Sequence, residues 1–295
     1  MRLFLLPIST RRSLIYCQRL NNQLSSETTY VDKLTTRASN TWLRWEKAEK
    51  GWRTGWQRKV THYGNKLFET IPHEEWGLKS IPPLSKRRKD EELEGKKEVE
   101  VIFPASVIAE DKVKLALQEF AGDERQALHT KWMWATIISM PLSAPAALIP
   151  VLPNIPFFYM VFRAWSHWRA RSGSRHIDFL LDNRLLKLTT SSKLQMAFEA
   201  GGLDVSMKKF DHDVGEFREE ALKPISKPNA ETDVERMLLT QSNGGLVSEL
   251  MDVPELEEHL QRAIKQVEKA LRAEKELQEE KQDLDNVNKE GGPKM

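Results

Sequence analysis

The longest apolar stretch of the chain runs from Trp132 to Phe162, 31 residues without a charge between Lys131 and Arg163. About 20 apolar residues, rising 1.5 Å each, cross a bilayer core. The run is long enough for one crossing and too short for two full crossings with a turn. Pro141, Pro145, Pro150, Pro153 and Pro156 interrupt it; each removes a backbone donor and clashes with the preceding turn. The pattern predicts two helical halves, roughly 125–149 and 157–175, joined through Pro150, Pro153, Asn154 and Pro156. A helical hairpin in the membrane is the first reading, with a re-entrant loop as its shallower variant. A single kinked span is the second, and a proline-rich core segment of a soluble protein is the bland alternative. Trp132 and Trp134 at one end, and Tyr159, Trp165 and Trp168 at the other, suit the headgroup level. Arg163, Arg169, Arg171 and Arg175 follow with no acid before Asp178, a basic cluster expected on the matrix side.

Residues 27–98 hold a second pattern. Leu34, Ala38, Trp42, Trp45, Trp52, Trp56, Val60, Tyr63 and Leu67 share one helical face. A Trp-rich stripe opposite basic residues fits a helix lying in the membrane interface, or packing on another subunit, or an ordinary core-facing helix. Pro72, Pro82 and Pro83 stop helices after it, and 89–98 reads as a charged linker. Within 99–131, Val99–Phe103 reads as a short strand ended by Pro104. Asp111 can cap a helix carrying Val113, Leu117 and Phe120. The membrane segment is taken as 132–168. Residues 169–203 read as a basic, helical region ended by Gly201 and Gly202, and 204–253 as an acidic, loop-rich region with short helices. In 254–285, Leu256, Leu260, Ile264, Val267 and Leu271 keep one apolar face on an otherwise charged helix, a short coiled coil in one reading. Residues 286–295 are expected to be disordered. The fold class these patterns predict is a mainly α membrane protein: a proline-rich helical hairpin, an amphipathic Trp-rich helix and a C-terminal amphipathic helix.

Charge sharpens the picture. Residues 1–90 carry 18 basic and 8 acidic side chains, 91–203 carry 13 of each, and 204–295 carry 14 basic and 22 acidic, within a formal net charge of +2. Such polarity fits a membrane-attached chain with distinct regions. The basic segment 1–26 has no acid before Glu27 and has the composition of a mitochondrial presequence. One cysteine, Cys17, gives no support to an oxidising compartment. No phosphate loop, metal-spaced cysteine pair or nucleophile elbow appears, so neither an enzyme nor a bound cofactor or metal is expected. Basic residues interspersed with Trp do not argue for nucleic acid. His259 reads as a solvated residue. His167, in RAWSHWRAR, is the most suggestive titratable group, a candidate proton sensor or an interfacial hydrogen-bonding residue. No acid lies inside the apolar run, so the chain alone makes a poor cation path.

Three blocks occur in order: RLFLLPISTRRSLIYCQR, IPHEEWGLKSIPP and MPLSAPAALIPVLPNIPFFYMVFRAWSHWRARSG. Together they resemble the fungal mitochondrial K+–H+ exchange-related family, over residues 2 to about 190. The resemblance implies inner-membrane localisation and a role as component or regulator of potassium–proton exchange, controlling matrix K+ and volume. It implies as partners the lipid bilayer and other inner-membrane proteins of an exchanger complex; self-association through 254–285 is a further expectation from the helix itself. It supplies no catalytic residues. The competing reading is an inner-membrane scaffold or assembly factor with no transport role.

Overall fold

The computed structural model describes residues 1–18, 37, 41, 44, 45, 55–94, 98–142, 155–200 and 235–290. The chain divides into two compact units, Arg19–Pro72 on one side and Met1–Gln18 with His73–Met295 on the other. In the first unit, helix α1 (Gly55–Glu69) covers the last residues of the segment read as a Trp-rich helix, with Tyr63 and Leu67 exposed. Leu34, Ala38, Trp42 and Trp52 lie outside the described residues.

The second unit is built on a four-stranded mixed sheet. Strand β1 (Arg2–Pro7) pairs antiparallel with β2 (Ser13–Gln18). β3 (Val99–Phe103) runs parallel to β1, and β4 (Leu186–Thr190) runs parallel to β3, giving the order β2-β1-β3-β4. The helices are α2 (His73–Ser80), α3 (Lys86–Glu94), α4 (Glu110–Ala121), α5 (Asp123–Ser139), α6 (Ile155–Asp182), α7 (Ser192–Ala200), α8 (Gln241–Leu250) and α9 (Pro254–Glu290). Successive strand side chains point to opposite faces. Leu3, Leu5, Ile15, Val101 and Phe103 therefore meet Leu78 of α2, Leu117 and Phe120 of α4, and Ile177 and Leu180 of α6. Phe4, Leu6, Leu14, Tyr16 and Ile102 meet Phe198 of α7, Val247 of α8, and Leu256, Leu260, Ile264 and Val267 of α9. Because both faces are covered there, β1 and β2 read as nearly unbroken apolar runs, whereas β3 carries Glu100 and β4 alternates apolar and polar residues.

This architecture overturns the membrane fold class. The protein is mostly helical with a central mixed sheet, and no helix among the described residues is long and apolar enough to cross a membrane. The reason lies in where the helices begin and end. α5 starts at Asp123 and carries Glu124, Arg125 and Lys131, while α6 continues through Arg163, Arg169, Arg171 and Arg175. The described part of the uncharged run thus lies at the far ends of two helices whose remaining turns are charged.

Other differences follow from tertiary context. Residues 2–18, with the composition of a targeting segment, form two core strands, and Cys17 is buried in β2. The helix expected across 169–203 stops at Asp182. Arg184 turns the chain with φ of 53°, and Leu186–Thr190 joins the sheet. The charged linker holds α3 over Lys86–Glu94. α9 runs to Glu290, through the first residues of the tail expected to be disordered, while α8 is a short helix within 204–253, where the sequence predicts loop with short helices. Pro150, Pro153 and Asn154 lie outside the described residues; Pro156 sits in the first turn of α6, where a missing N–H costs nothing.

Candidate functional site

α2 is a two-turn helix, HEEWGLKS, clamped by backbone on both sides. A Cβ on Gly77 would run into the Ile15 carbonyl of β2, and a Cβ on Gly173 of α6 would run into the Leu78 carbonyl. Glycine at both points lets α2 lie close to strand and helix. The clamp aims Glu75 and Lys79, one turn apart on one face, at α6. From α6 come Arg163, Ser166 and His167, spaced i, i+3 and i+4, and α5 adds His129. Every one of these except the half-buried Arg163 is buried.

Glu75 is the hub. Its Oε1 accepts hydrogen bonds from Arg163 Nη1 at 2.8 Å and from the Ser166 hydroxyl. Lys79 Nζ donates to Ser166 Oγ at 3.0 Å and lies 3.2 Å from the centre of the Trp76 ring. His167 Nδ1 is 3.8 Å from the other carboxylate oxygen, Oε2, and 3.3 Å from Nδ1 of His129. Arg163 Nη2 is 3.0 Å from His167 Nε2. A guanidinium only donates, so Nε2 accepts. The proton of a neutral His167 ring is then on Nδ1, where it points to His129 Nδ1 as acceptor.

Burial would raise the Glu75 carboxyl, but the Ser166 hydrogen bond and the Arg163 charge outweigh it and hold the group below the usual carboxylate value. Burial acts the other way on the cations. It brings Lys79 down to about 7, against the pull of Glu75, and His167 down to about 4. His129 is lowered for the same reason. His259 packs 5.1 Å from Tyr16 and 6.3 Å from Trp76 between ring centres, and burial together with Arg262 pushes it down to about 4. It is an aromatic packing residue with a neutral ring, not a solvated one. The result is a dry, hydrogen-bonded network with one firm anion, one firm cation, two neutral imidazoles and a lysine balanced near neutral pH.

The residues expected at a membrane interface separate in space. Trp132, Trp134 and Trp168 are exposed and Trp165 is partly covered. Arg163 turns inward to Glu75, Arg169 is buried, Arg171 is partly buried, and Arg175 alone of the four is exposed. Of the residues singled out from sequence, the network unites His167 and Arg163. It adds Glu75, Lys79, Ser166 and His129, which sequence reasoning passed over. The available signal was two pairs at i, i+4, Glu75/Lys79 and Arg163/His167, each embedded beside tryptophan. His129 carried none, because only the antiparallel packing of α5 on α6 brings it across.

The model of the mitochondrial K+–H+ exchange-related family matches residues 2–181, which takes in β1 through α6 and every residue of the network. An uncharacterised protein of Schizosaccharomyces pombe is 30% identical over 199 residues, covering 68% of this chain and 83% of that protein. An uncharacterised protein of Saccharomyces cerevisiae is 23% identical over 202 residues, 60% of this chain and 62% of that one. No solved structure matches. The match over the larger part of the chain, and a relative covered over most of its length, establish that this chain belongs to the mitochondrial K+–H+ exchange-related family.

Proposed function

We propose that the protein is a regulatory component of potassium–proton exchange across the mitochondrial inner membrane, acting on matrix K+ and volume, and that it works from the membrane face in company with other proteins of the exchanger. Family membership supports the process. The observation that carries the mode of action is the far end of the α5–α6 hairpin. There Trp134, Ile138, Leu142 and Phe158 are 55%, 72%, 81% and 63% exposed, with Trp132, Phe157 and Val161 also uncovered. On α5, Trp132 and Trp134 point to different sides of the helix, so the apolar exposure is not confined to one stripe. An exposed apolar area of this kind, with Trp among it, suits docking on an apolar partner surface at the membrane boundary. The buried polar network holds the base of the same hairpin in place.

Swelling of isolated mitochondria in potassium acetate, with and without the protein, tests the reading. Altered swelling, restored by the wild-type chain, is the expected result. Normal swelling with loss of an inner-membrane assembly would replace it with the scaffold reading. Fractionation that leaves the protein away from the inner membrane would remove the proposed location.

A further inference from the structure

Three side chains, each offering one ligand atom, converge on one interior point from three elements: Glu75 on α2, His129 on α5 and His167 on α6. All three atoms lie within 4.8 Å of one another. We propose that Glu75, His129 and His167 form a buried binding site for a divalent transition-metal ion of the zinc type. This inference is independent of the role in ion exchange.

Geometry carries it. Metal–ligand bonds of about 2.0–2.2 Å in a tetrahedron place neighbouring ligand atoms about 3.3–3.6 Å apart. The two imidazole nitrogens already stand 3.3 Å apart, and His167 Nδ1 stands 3.8 Å from the carboxylate oxygen. Closing Glu75 on His167 requires a few tenths of an ångström, and closing it on His129, within 4.8 Å, requires at most about 1.2 Å to reach the tetrahedral spacing. Its second oxygen is held by Arg163 and Ser166. Outer contacts of that kind orient a ligating carboxylate and leave its free oxygen aimed at the ion. Two imidazoles and one carboxylate suit zinc and its first-row neighbours rather than magnesium or calcium, which take all-oxygen shells. Three protein ligands leave one position open.

Charge sets the cost. Around the point stand Glu75, Lys79 and Glu74 of α2, Arg125 and His129 of α5, and Arg163 and His167 of α6; Glu74 is engaged by Arg125 at 2.6 Å. The ion takes the place of the proton between the two Nδ1 atoms, and that proton moves by way of solvent to Nε2 of the same ring, so no net proton is released. The ligated neutral His167 ring then bears its proton on Nε2, so Arg163 turns from His167 and keeps Glu75. Arg163 is therefore a competitor as well as a support, and its removal should favour the ion.

The test uses the full-length chain stripped with chelator and titrated with Zn2+ alone, and separately with Co2+ as a visible reporter. Expected are one equivalent bound and the intense visible bands of four-coordinate Co2+, displaced by Zn2+. His129→Ala, His167→Ala and Glu75→Gln should each weaken binding at least tenfold, while His62→Ala leaves it unchanged. Arg163→Gln keeps all three donors and should bind several-fold tighter. The site is wrong if the folded wild-type chain shows no stoichiometric binding, or a six-coordinate Co2+ spectrum. Affinity that is equal or weaker in folded Arg163→Gln overturns it as well. The wild-type spectrum and the Arg163→Gln direction decide the matter even where a ligand variant fails to fold.

Discussion

The two ends of the α5–α6 hairpin are opposite in chemistry. At the base, charge and imidazole face inward: Glu75, Arg163, Ser166, His129 and His167 hydrogen-bond to one another away from water. At the far end, where Ser139 of α5 meets Met160 of α6, Trp134, Ile138 and Phe158 face outward. An ordinary surface hairpin does the reverse on both counts. Sheet, α2 and α4 cover the base, so its polar groups had to find partners there or pay the desolvation penalty of isolated buried charge. Nothing within the described chain covers the far end. The base thus specifies how the hairpin is held, and the far end offers the exposed apolar surface on which the proposed docking rests.

Removing the hub of the base should have the largest effect. Glu75→Ala leaves the Arg163 guanidinium and the Ser166–Lys79 pair without their common acceptor. Stripping one partner from a buried pair costs about 3–5 kcal/mol, a large part of a typical domain's stability. Urea unfolding followed by far-UV circular dichroism should show a strongly lowered midpoint, and a midpoint near wild type would mean that water already reaches the network. Next comes Gly173→Ala, whose methyl meets the Leu78 carbonyl with no flexible side chain to give way. Overpacking of this kind costs about 1–3 kcal/mol. It should loosen α2 first, seen as faster amide exchange in His73–Ser80 than in β1.

Acid and base should act unequally on the two ends. His259 and His167 sit at about 4 in the fold against 6.5 when free, so the native state binds fewer protons than the unfolded chain across that interval. Stability falls as pH drops from about 6.5 to about 4 and is lost no further below it. Lys79, at about 7 against 10.5, has the same sign: stability rises as pH climbs through that range. His259→Gln should flatten the acid limb of the urea midpoint against pH, and Lys79→Met the alkaline limb. Far-end variants should change neither limb.

The sequence announced the far end far better than the base. An uncharged run of 31 residues is visible by inspection, and so is its proline-broken middle. What inspection does not supply is phase. Arg163, Arg169, Arg171 and Arg175 look like one basic cluster in one dimension, yet the 100° step of α6 sends Arg163 into the interior and leaves Arg175 in water. Val99–Phe103 was legible because its bounding residues and alternation stand alone. Leu186–Thr190 was not, since its Leu-rich approach continues a helical pattern until Arg184 turns the chain. The basic opening carries Arg2 at the start of a strand and Arg11 and Arg12 in the turn between strands, and most of the apolar residues between them are sheet. Composition alone cannot separate that arrangement from a targeting peptide, because both need few acids and many aliphatic residues. Glu75 and His129 lie far apart in sequence and meet only through packing, so no local pattern contained the network.

The smallest expected effect on stability is the most informative about function. Trp134→Ser with Ile138→Ser removes two exposed side chains from the far end and touches no hydrogen bond of the base. Substitutions at such positions change stability by about 0.5 kcal/mol or less, so the urea midpoint should stay where it was. Retention should not. If the apolar end is the docking surface, the double variant should leave the mitochondrial membrane fraction at salt concentrations that hold the wild type, and potassium acetate swelling should move toward that of mitochondria lacking the protein. Glu75→Gln offers the reciprocal experiment at the base, with the fold weakened and the far end chemically intact. Loss of retention in the stable far-end variant, set against retention of whatever fraction of the base variant stays folded, would assign holding to one end of the hairpin and meeting to the other. Equal retention of both variants would mean that the exposed tryptophan and isoleucine are not what the membrane-bound partner recognises.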